Sequence, residues 1–227
     1  MSHFTRFTLW LSIAMAPVFA QGTINTIPNW NGTNFISSFG NPNTATYGQT
    51  ITVAPGSGNL TSWTIELTCS AAVTFRGEVY AWNGTMATGN ALFETAPINF
   101  PASANNTTYT PVTFNTGGGI SLAAGTYVLF ASTSKDAGGN STCRWGSVTD
   151  NTVYPGGQFV FQNNGTDPTQ WTSAAWSTIS QDLAFTATFT ATGVAPIPGT
   201  VWLAAIGLLA LGLLIRFEPR WRSRSST

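Results

Sequence analysis

The chain has 227 residues, of which only 7% are charged, with 8 Lys+Arg against 8 Asp+Glu; 43% are hydrophobic and 13% aromatic. Soluble domains average about 25% charged residues, so this balance excludes an intrinsically disordered chain and a coiled coil rich in Glu and Lys. It also excludes a nucleic-acid binder, because no basic surface is available to neutralise phosphates.

The N-terminus reads as a secretory signal. Arg6 supplies a positive charge, Phe7 to Ala16 is a short apolar run, and Val18-Phe19-Ala20 places small residues where a signal peptidase cuts, after Ala20. An N-terminal membrane anchor is the alternative, for which the run falls short of the roughly 20 apolar residues that a span needs.

Residues 21–45 are rich in Asn, Thr, Pro and Gly and read as an extended lead-in or a first strand. From residue 46 to 190 strand signals dominate. Trp63, Ile65 and Leu67 alternate with Thr64 and Glu66; Val73, Phe75, Gly77, Val79 and Ala81 alternate with Thr74, Arg76, Glu78 and Tyr80. Val112 and Phe114 flank Thr113, and Phe159 and Phe161 flank Val160. Tyr127, Leu129 and Ala131 share one face of a run whose other face carries Val128 and Phe130. Leu183, Phe185, Ala187 and Phe189 alternate with Ala184, Thr186, Thr188 and Thr190. Period-2 patterning with β-branched and aromatic enrichment predicts strands. Turn chemistry separates them at Asn83-Gly84, Gly117-Gly118-Gly119, Gly138-Gly139, Gly156-Gly157 and Asn164-Gly165. No amphipathic helix stands out before residue 195. The pattern predicts an all-β antiparallel sandwich of jelly-roll type, with a closed barrel as runner-up.

Between residues 21 and 195 three cations (Arg76, Lys135, Arg144) face seven carboxylates (Glu66, Glu78, Glu94, Asp136, Asp150, Asp167, Asp182), a net charge of −4. Overall neutrality therefore hides an acidic body and a basic tail. Cys69 and Cys143 are the only cysteines. In an exported protein such a pair reads as one disulfide. It would close a loop of roughly 75 residues and stabilise by about 3–5 kcal/mol on the chain-entropy argument.

Chemistry is sparse. The one histidine, His3, lies in the segment expected to be removed, so a Ser-His-Asp or Cys-His mechanism has no base and a catalytic zinc lacks its usual ligand. Glu66 and Glu78 could form a glycosidase pair if their strands are neighbours; solvent-facing strand charges are the plainer reading. Calcium is the metal the oxygen ligands would suit, through Asp136, Asp150, Asp167 and Asp182, although ordinary turn and cap roles for Asp compete. No cofactor is expected. Trp82 beside a hairpin turn and Trp145, Trp171 and Trp176 in loop-like segments are candidate platforms for sugar rings, if they do not pack as core. Asn-x-Ser/Thr triplets start at Asn31, Asn59, Asn83, Asn106, Asn140 and Asn164. They read either as glycosylation acceptors or as turn chemistry.

Residues 191–199 form a short linker containing Pro196-Ile197-Pro198. The apolar run 200–215 would give roughly 24 Å of helix, close to a bilayer core, with Trp202 at one interface. Arg216, Arg220, Arg222 and Arg224 follow in a tail, residues 216–227, that the positive-inside rule holds in the cytoplasm.

The sequence Ala195-Pro196-Ile197-Pro198, an apolar span starting at Val201-Trp202 and a terminal Arg cluster resembles the PEP-CTERM sorting signal, with Ile197 in place of the Glu of the name-giving motif. The resemblance covers about the last 30 residues. It implies a Gram-negative bacterium that makes exopolysaccharide, an inner-membrane-anchored precursor, and processing by a membrane protease, the exosortase. A plain tail anchor is the alternative. Tyr80-Ala81-Trp82-Asn83-Gly84-Thr85 with Leu92-Phe93, Tyr127-Val128-Leu129-Phe130, and Gln181-Asp182-Leu183-Ala184-Phe185 resemble packing motifs of secreted PEP-CTERM sandwich proteins. That resemblance implies no particular activity. The expected protein is a non-catalytic surface or matrix component; a carbohydrate-binding module comes second, and a glycoside hydrolase or lyase is a weak third.

Overall fold

A computed structural model describes residues 22–42, 44–56, 58–136, 143–150 and 152–190. The expected signal peptide with its cut after Ala20, the motif Pro196-Ile197-Pro198, the apolar run 200–215 and the Arg tail lie outside the described residues, as do Gly138-Gly139 and Asn140. Among the described residues no helix is long and apolar enough to cross a membrane.

Among the described residues fourteen strands follow one another: β1 (Thr23–Asn25), β2 (Phe35–Phe39), β3 (Thr46–Val53), β4 (Asn59–Cys69), β5 (Val73–Trp82), β6 (Ala87–Glu94), β7 (Ile98–Phe100), β8 (Thr110–Ser121), β9 (Gly125–Ser132), β10 (Cys143–Val148), β11 (Phe159–Gln162), β12 (Ser177–Ile179), β13 (Asp182–Leu183) and β14 (Phe185–Thr190). They form two antiparallel sheets. In the first, β4 is central, with β8 on one side and β14 and β10 sharing the other; β1 pairs with β14, and β2 and β13 pair with β10. The second runs β12-β11-β3-β9-β5-β6, with β7 on the remaining length of β5.

The sheets pack face to face, because each strand has one apolar phase. Trp63, Ile65, Leu67, Phe185, Ala187 and Phe189 from the first sheet meet Tyr47, Ile51, Phe75, Val79, Leu129 and Phe159 from the second in one core. Two sheets rather than one closed ring make this a sandwich and set the barrel aside. Gly77 permits the closest approach. Phe114 stacks on Trp63 at 3.8 Å and reaches across the core, so that a Cβ on Gly77 would lie 2.1 Å from Phe114 Cδ1.

Three local expectations change. The described part of the lead-in 21–45 holds two strands, β1 and β2, on the outer edge of the first sheet, with a 3-10 turn at Ile27–Asn29 between them. Gly117-Gly118-Gly119 is not a turn: all three residues have positive φ and lie inside β8, where the register against β4 shifts between Leu60 and Ser62. The glycines supply the backbone of a β-bulge, which lets β8 continue alongside β4. The run from Leu183 to Phe189 breaks at Ala184, whose N–H donates to Gly146 O, so β13 and β14 pair with different strands.

The disulfide is present. Cys69 and Cys143 stand opposite each other on β4 and β10, are fully buried, and are joined.

Candidate functional site: a covered charge cluster

Part of the outer face of the second sheet is shielded from water. Tyr80 and Trp82 of β5, Ala87 of β6, Val128 and Phe130 of β9 and Val160 of β11 form a second apolar cluster with Trp171 and Trp176. These two Trp come from residues 163–176, which fold over the sheet around a 3-10 turn at Pro168–Thr172. Asp167 caps that turn by accepting from Thr169 N at 2.9 Å. The cover is fixed by polar bonds as well as rings. Trp171 Nε1 donates to Thr46 Oγ1 at 3.1 Å, Thr46 Oγ1 donates to Asn164 Oδ1 at 2.8 Å, and Asn164 Nδ2 donates to Ser134 Oγ at 2.9 Å. Trp176 N–H donates to Thr85 O in the β5–β6 hairpin, and its Nε1 to Trp171 O. This layer explains why Val128 and Phe130, on the second face of β9, are apolar.

Beside it sits a cluster of five charges. Glu78 on β5 stands directly across from Glu94 on β6. Lys135, just past β9, donates to Glu78 Oε1 at 3.2 Å and also bonds Glu94 Oε2. Arg76 links Glu94 at 2.9 Å and Asp136 at 3.0 Å. Lys135 Nζ also lies 5.0 Å from the centre of the Trp171 ring, tying the cluster to the cover. Two like charges facing each other across strands destabilise a sheet; here Lys135 bridges them.

Glu78 is fully buried, and its Oε2 has no hydrogen-bond partner. Burial pushes its carboxyl up to about 7; the Glu94 carboxylate adds to this and Lys135 opposes it. Burial also pushes Glu94 upward, but Lys135 and Arg76 outweigh it and hold that carboxyl below its ordinary value. Fully ionised, the five groups sum to −1. One proton on Glu78 makes the cluster neutral, which adds to the effect of burial, the main cause of its high affinity for a proton. A shallow concavity of about 280 Å³ beside it is lined by Tyr80, Asn90, Lys135, Thr169 and Trp171, and Lys135 stands between it and Glu78. The arrangement therefore acts as a staple between β5, β6, the β9 end and the cover.

Several sequence-predicted roles move. Glu66 and Glu78 are not neighbours: β4 and β5 belong to different sheets, and the two side chains occupy opposite outer faces. Glu78, expected to face solvent, is buried because residues far along the chain cover it. Trp82, Trp145, Trp171 and Trp176 are all buried and offer no open platform for a sugar ring. Trp145 packs in the main core against Phe39 at 5.1 Å and Tyr47 at 5.6 Å, and Trp82 meets Trp176 edge-on at 5.5 Å.

The aspartates have local partners. Asp136 holds Arg76, and Asp150 accepts from Thr152 N. Asp182 accepts from Gln49 Nε2 and Tyr154 N, joining the two sheets. Burial pushes the Asp182 carboxyl up to about 6 against those two bonds. Among the described residues no three His, Cys, Asp or Glu side chains group as metal ligands.

Asn31 and Asn83 each accept from the backbone N–H and hydroxyl of the Thr two residues on. Asn105 rather than Asn106 plays this part with Thr107. These Asn-x-Thr triplets build turns.

No protein-family model matches the chain, and no curated protein and no solved structure does either.

Proposed function

We propose that the chain is an exported, membrane-tethered precursor of a non-catalytic surface or exopolysaccharide-matrix protein. The Cys69–Cys143 disulfide carries the reading. Both cysteines of the chain are spent on it, it is wholly buried, and such bonds persist in oxidising compartments outside the cytoplasm. The apolar run before Ala20 supplies the export signal. Pro196-Ile197-Pro198, the apolar run 200–215 and Arg216, Arg220, Arg222 and Arg224 supply a sorting signal of PEP-CTERM type, with an exosortase-type membrane protease as processing partner. In this reading the sandwich is jelly-roll-like. What supports that finer assignment is the alternation of β3, β4 and β5, and then of β8, β9, β10 and β11, between the two sheets. A surface kept soluble by Thr, Asn, Ser and Gly rather than by charge suits a hydrated polysaccharide environment.

The intact mass of the protein recovered from its native cell tests the proposal. A chain that begins at Gln21 and ends near Pro198 is expected. Recovery of the Arg-rich tail would refute processing and leave a plain tail anchor.

A further inference from the structure

Arg144 on β10 stands between Ser37 of β2 and Thr68 of β4 on the outer face of the first sheet, next to the disulfide. It is set apart from the other two cations of the body. Arg76 and Lys135 are consumed by ion pairs, whereas no carboxylate of a described residue lies within ion-pair distance of Arg144. Its Nη1 donates to Asn106 O at 3.1 Å, and its guanidinium carbon lies 4.3 Å from the centre of the Phe35 ring. Phe35 is 42% exposed and covers one face of the guanidinium, fixing its plane. Arg144, Ser37, Ser38, Ser70 and Asn106 line a basin of about 270 Å³.

Two buried polar atoms beside Arg144 are unsatisfied: Asn106 Oδ1 and the Tyr109 hydroxyl oxygen. Burial pushes the Tyr109 hydroxyl up, and the Arg144 charge opposes the shift. A buried unpaired acceptor costs about 1–3 kcal/mol, so each such atom calls for a partner. A bare anion could satisfy Arg144, but it brings no donor for Asn106 Oδ1. A ligand with a carboxylate and hydroxyls supplies both.

We propose that this basin binds a hexuronate unit. Its carboxylate would engage the fork of Arg144. The Asn106 side chain would turn on binding so that a ring hydroxyl donates to its Oδ1, and Ser37, Ser38 and Ser70 would exchange hydrogen bonds with the rest. The volume lies just below the roughly 300–1,000 Å³ of drug-sized pockets, room for one ring rather than an oligomer. The inference rests on the proposed surface address only for the source of the sugar, a uronate within a polysaccharide.

The test is calorimetric titration of the full-length protein with glucuronate, glucose, acetate, inorganic sulfate and a short oligo-uronate. Glucuronate is expected to bind at least about tenfold more tightly than glucose, acetate or sulfate, the equivalent of one good hydrogen bond. The oligo-uronate is expected to bind no more weakly than glucuronate. Arg144→Lys, which keeps the charge and loses the fork, should weaken glucuronate about tenfold. Asn106→Ala should do the same with an unchanged thermal midpoint, because the backbone O that Arg144 uses remains. Equal binding of glucose or acetate, or either variant binding like the parent, would overturn the site. An oligomer weaker than the monomer would overturn the polysaccharide source. A processed C-terminus without uronate binding sinks this inference alone, and uronate binding with an intact Arg tail sinks only the sorting proposal.

Discussion

Glu78 makes stability fall as pH rises, which is unusual for a carboxyl. Its value in the folded protein is about 7 against an ordinary 4.5, raised first by burial. The folded state therefore holds this proton more tightly than the unfolded chain does. The stabilisation is complete below about 4.5 and is lost as pH rises through about 7. Across pH 5 to 8, Glu78 contributes a loss of roughly 2–3 kcal/mol. Asp182, at about 6 against 3.8, acts in the same direction over a lower window. It adds roughly 1 kcal/mol, nearly all of it below pH 7. Glu94, held low by Lys135 and Arg76, works in the opposite sense only below its ordinary value and leaves this range untouched.

The perturbation is Glu78→Gln, which keeps an oxygen for Lys135, offers an N–H toward Glu94 and cannot titrate. Denaturant unfolding followed by Trp fluorescence, without reductant, at pH 5, 6, 7 and 8 reads the result. The parent should lose about 3–4 kcal/mol across the series and the variant about 1 kcal/mol, with the variant nearly flat from pH 6 to 8. A parent whose stability is level or rising over pH 6–8, or a variant with the parent's slope, refutes the buried-proton account.

Two further perturbations test the packing. Gly77→Ala places a methyl 2.1 Å from Phe114 Cδ1, and Phe114 cannot retreat because it stacks on buried Trp63. A loss of about 3 kcal/mol or more, at the top of the overpacking range, is expected, and an unchanged melting temperature would show that the sheets part freely. Trp171→Ala removes the ring shared by Tyr80, Phe130 and Lys135, together with the bond to Thr46. It should cost about 3–5 kcal/mol and open residues 163–176 to limited proteolysis; a cover as resistant as the parent's would argue that its other bonds suffice.

Strands were legible wherever one face is dry and the other wet. Trp63-Ile65-Leu67, Val73 to Val79 and Phe185-Ala187-Phe189 carry the alternation that a single buried face imposes, and all lie in β4, β5 and β14 facing the core. Periodicity was less informative where a second layer intervenes. Val128 and Phe130 advertised that the outer face of β9 is covered, but nothing local named residues 163–176 as the cover. The same gap misplaced Glu78 and left open whether the Trp side chains pack or stand exposed. Polar phase implies solvent only if nothing folds over the strand, and a Trp in a loop-like segment is exposed only if that segment is not itself a lid. The glycine triplet was misread because positive φ serves bulges and turns alike, and only the continuing partner strand distinguishes them.

The sequence alone determined the all-β class, the phase of the core-facing residues and the acidic charge of the body, because these depend on neighbours two residues apart or on composition. The pairing of Cys69 with Cys143 was also foreseen, from their number and the expected compartment, and β4 beside β10 brings them together. Tertiary structure decided what lies across each surface. It put Glu66 and Glu78 on opposite faces, enclosed Glu78 between Glu94 and Lys135, buried the four Trp, and left Arg144 without a carboxylate partner among the described residues, beside two unsatisfied oxygens. Burial and hydrogen-bond satisfaction depend on residues tens of positions away, brought close by strand pairing, and no local pattern encodes that distance.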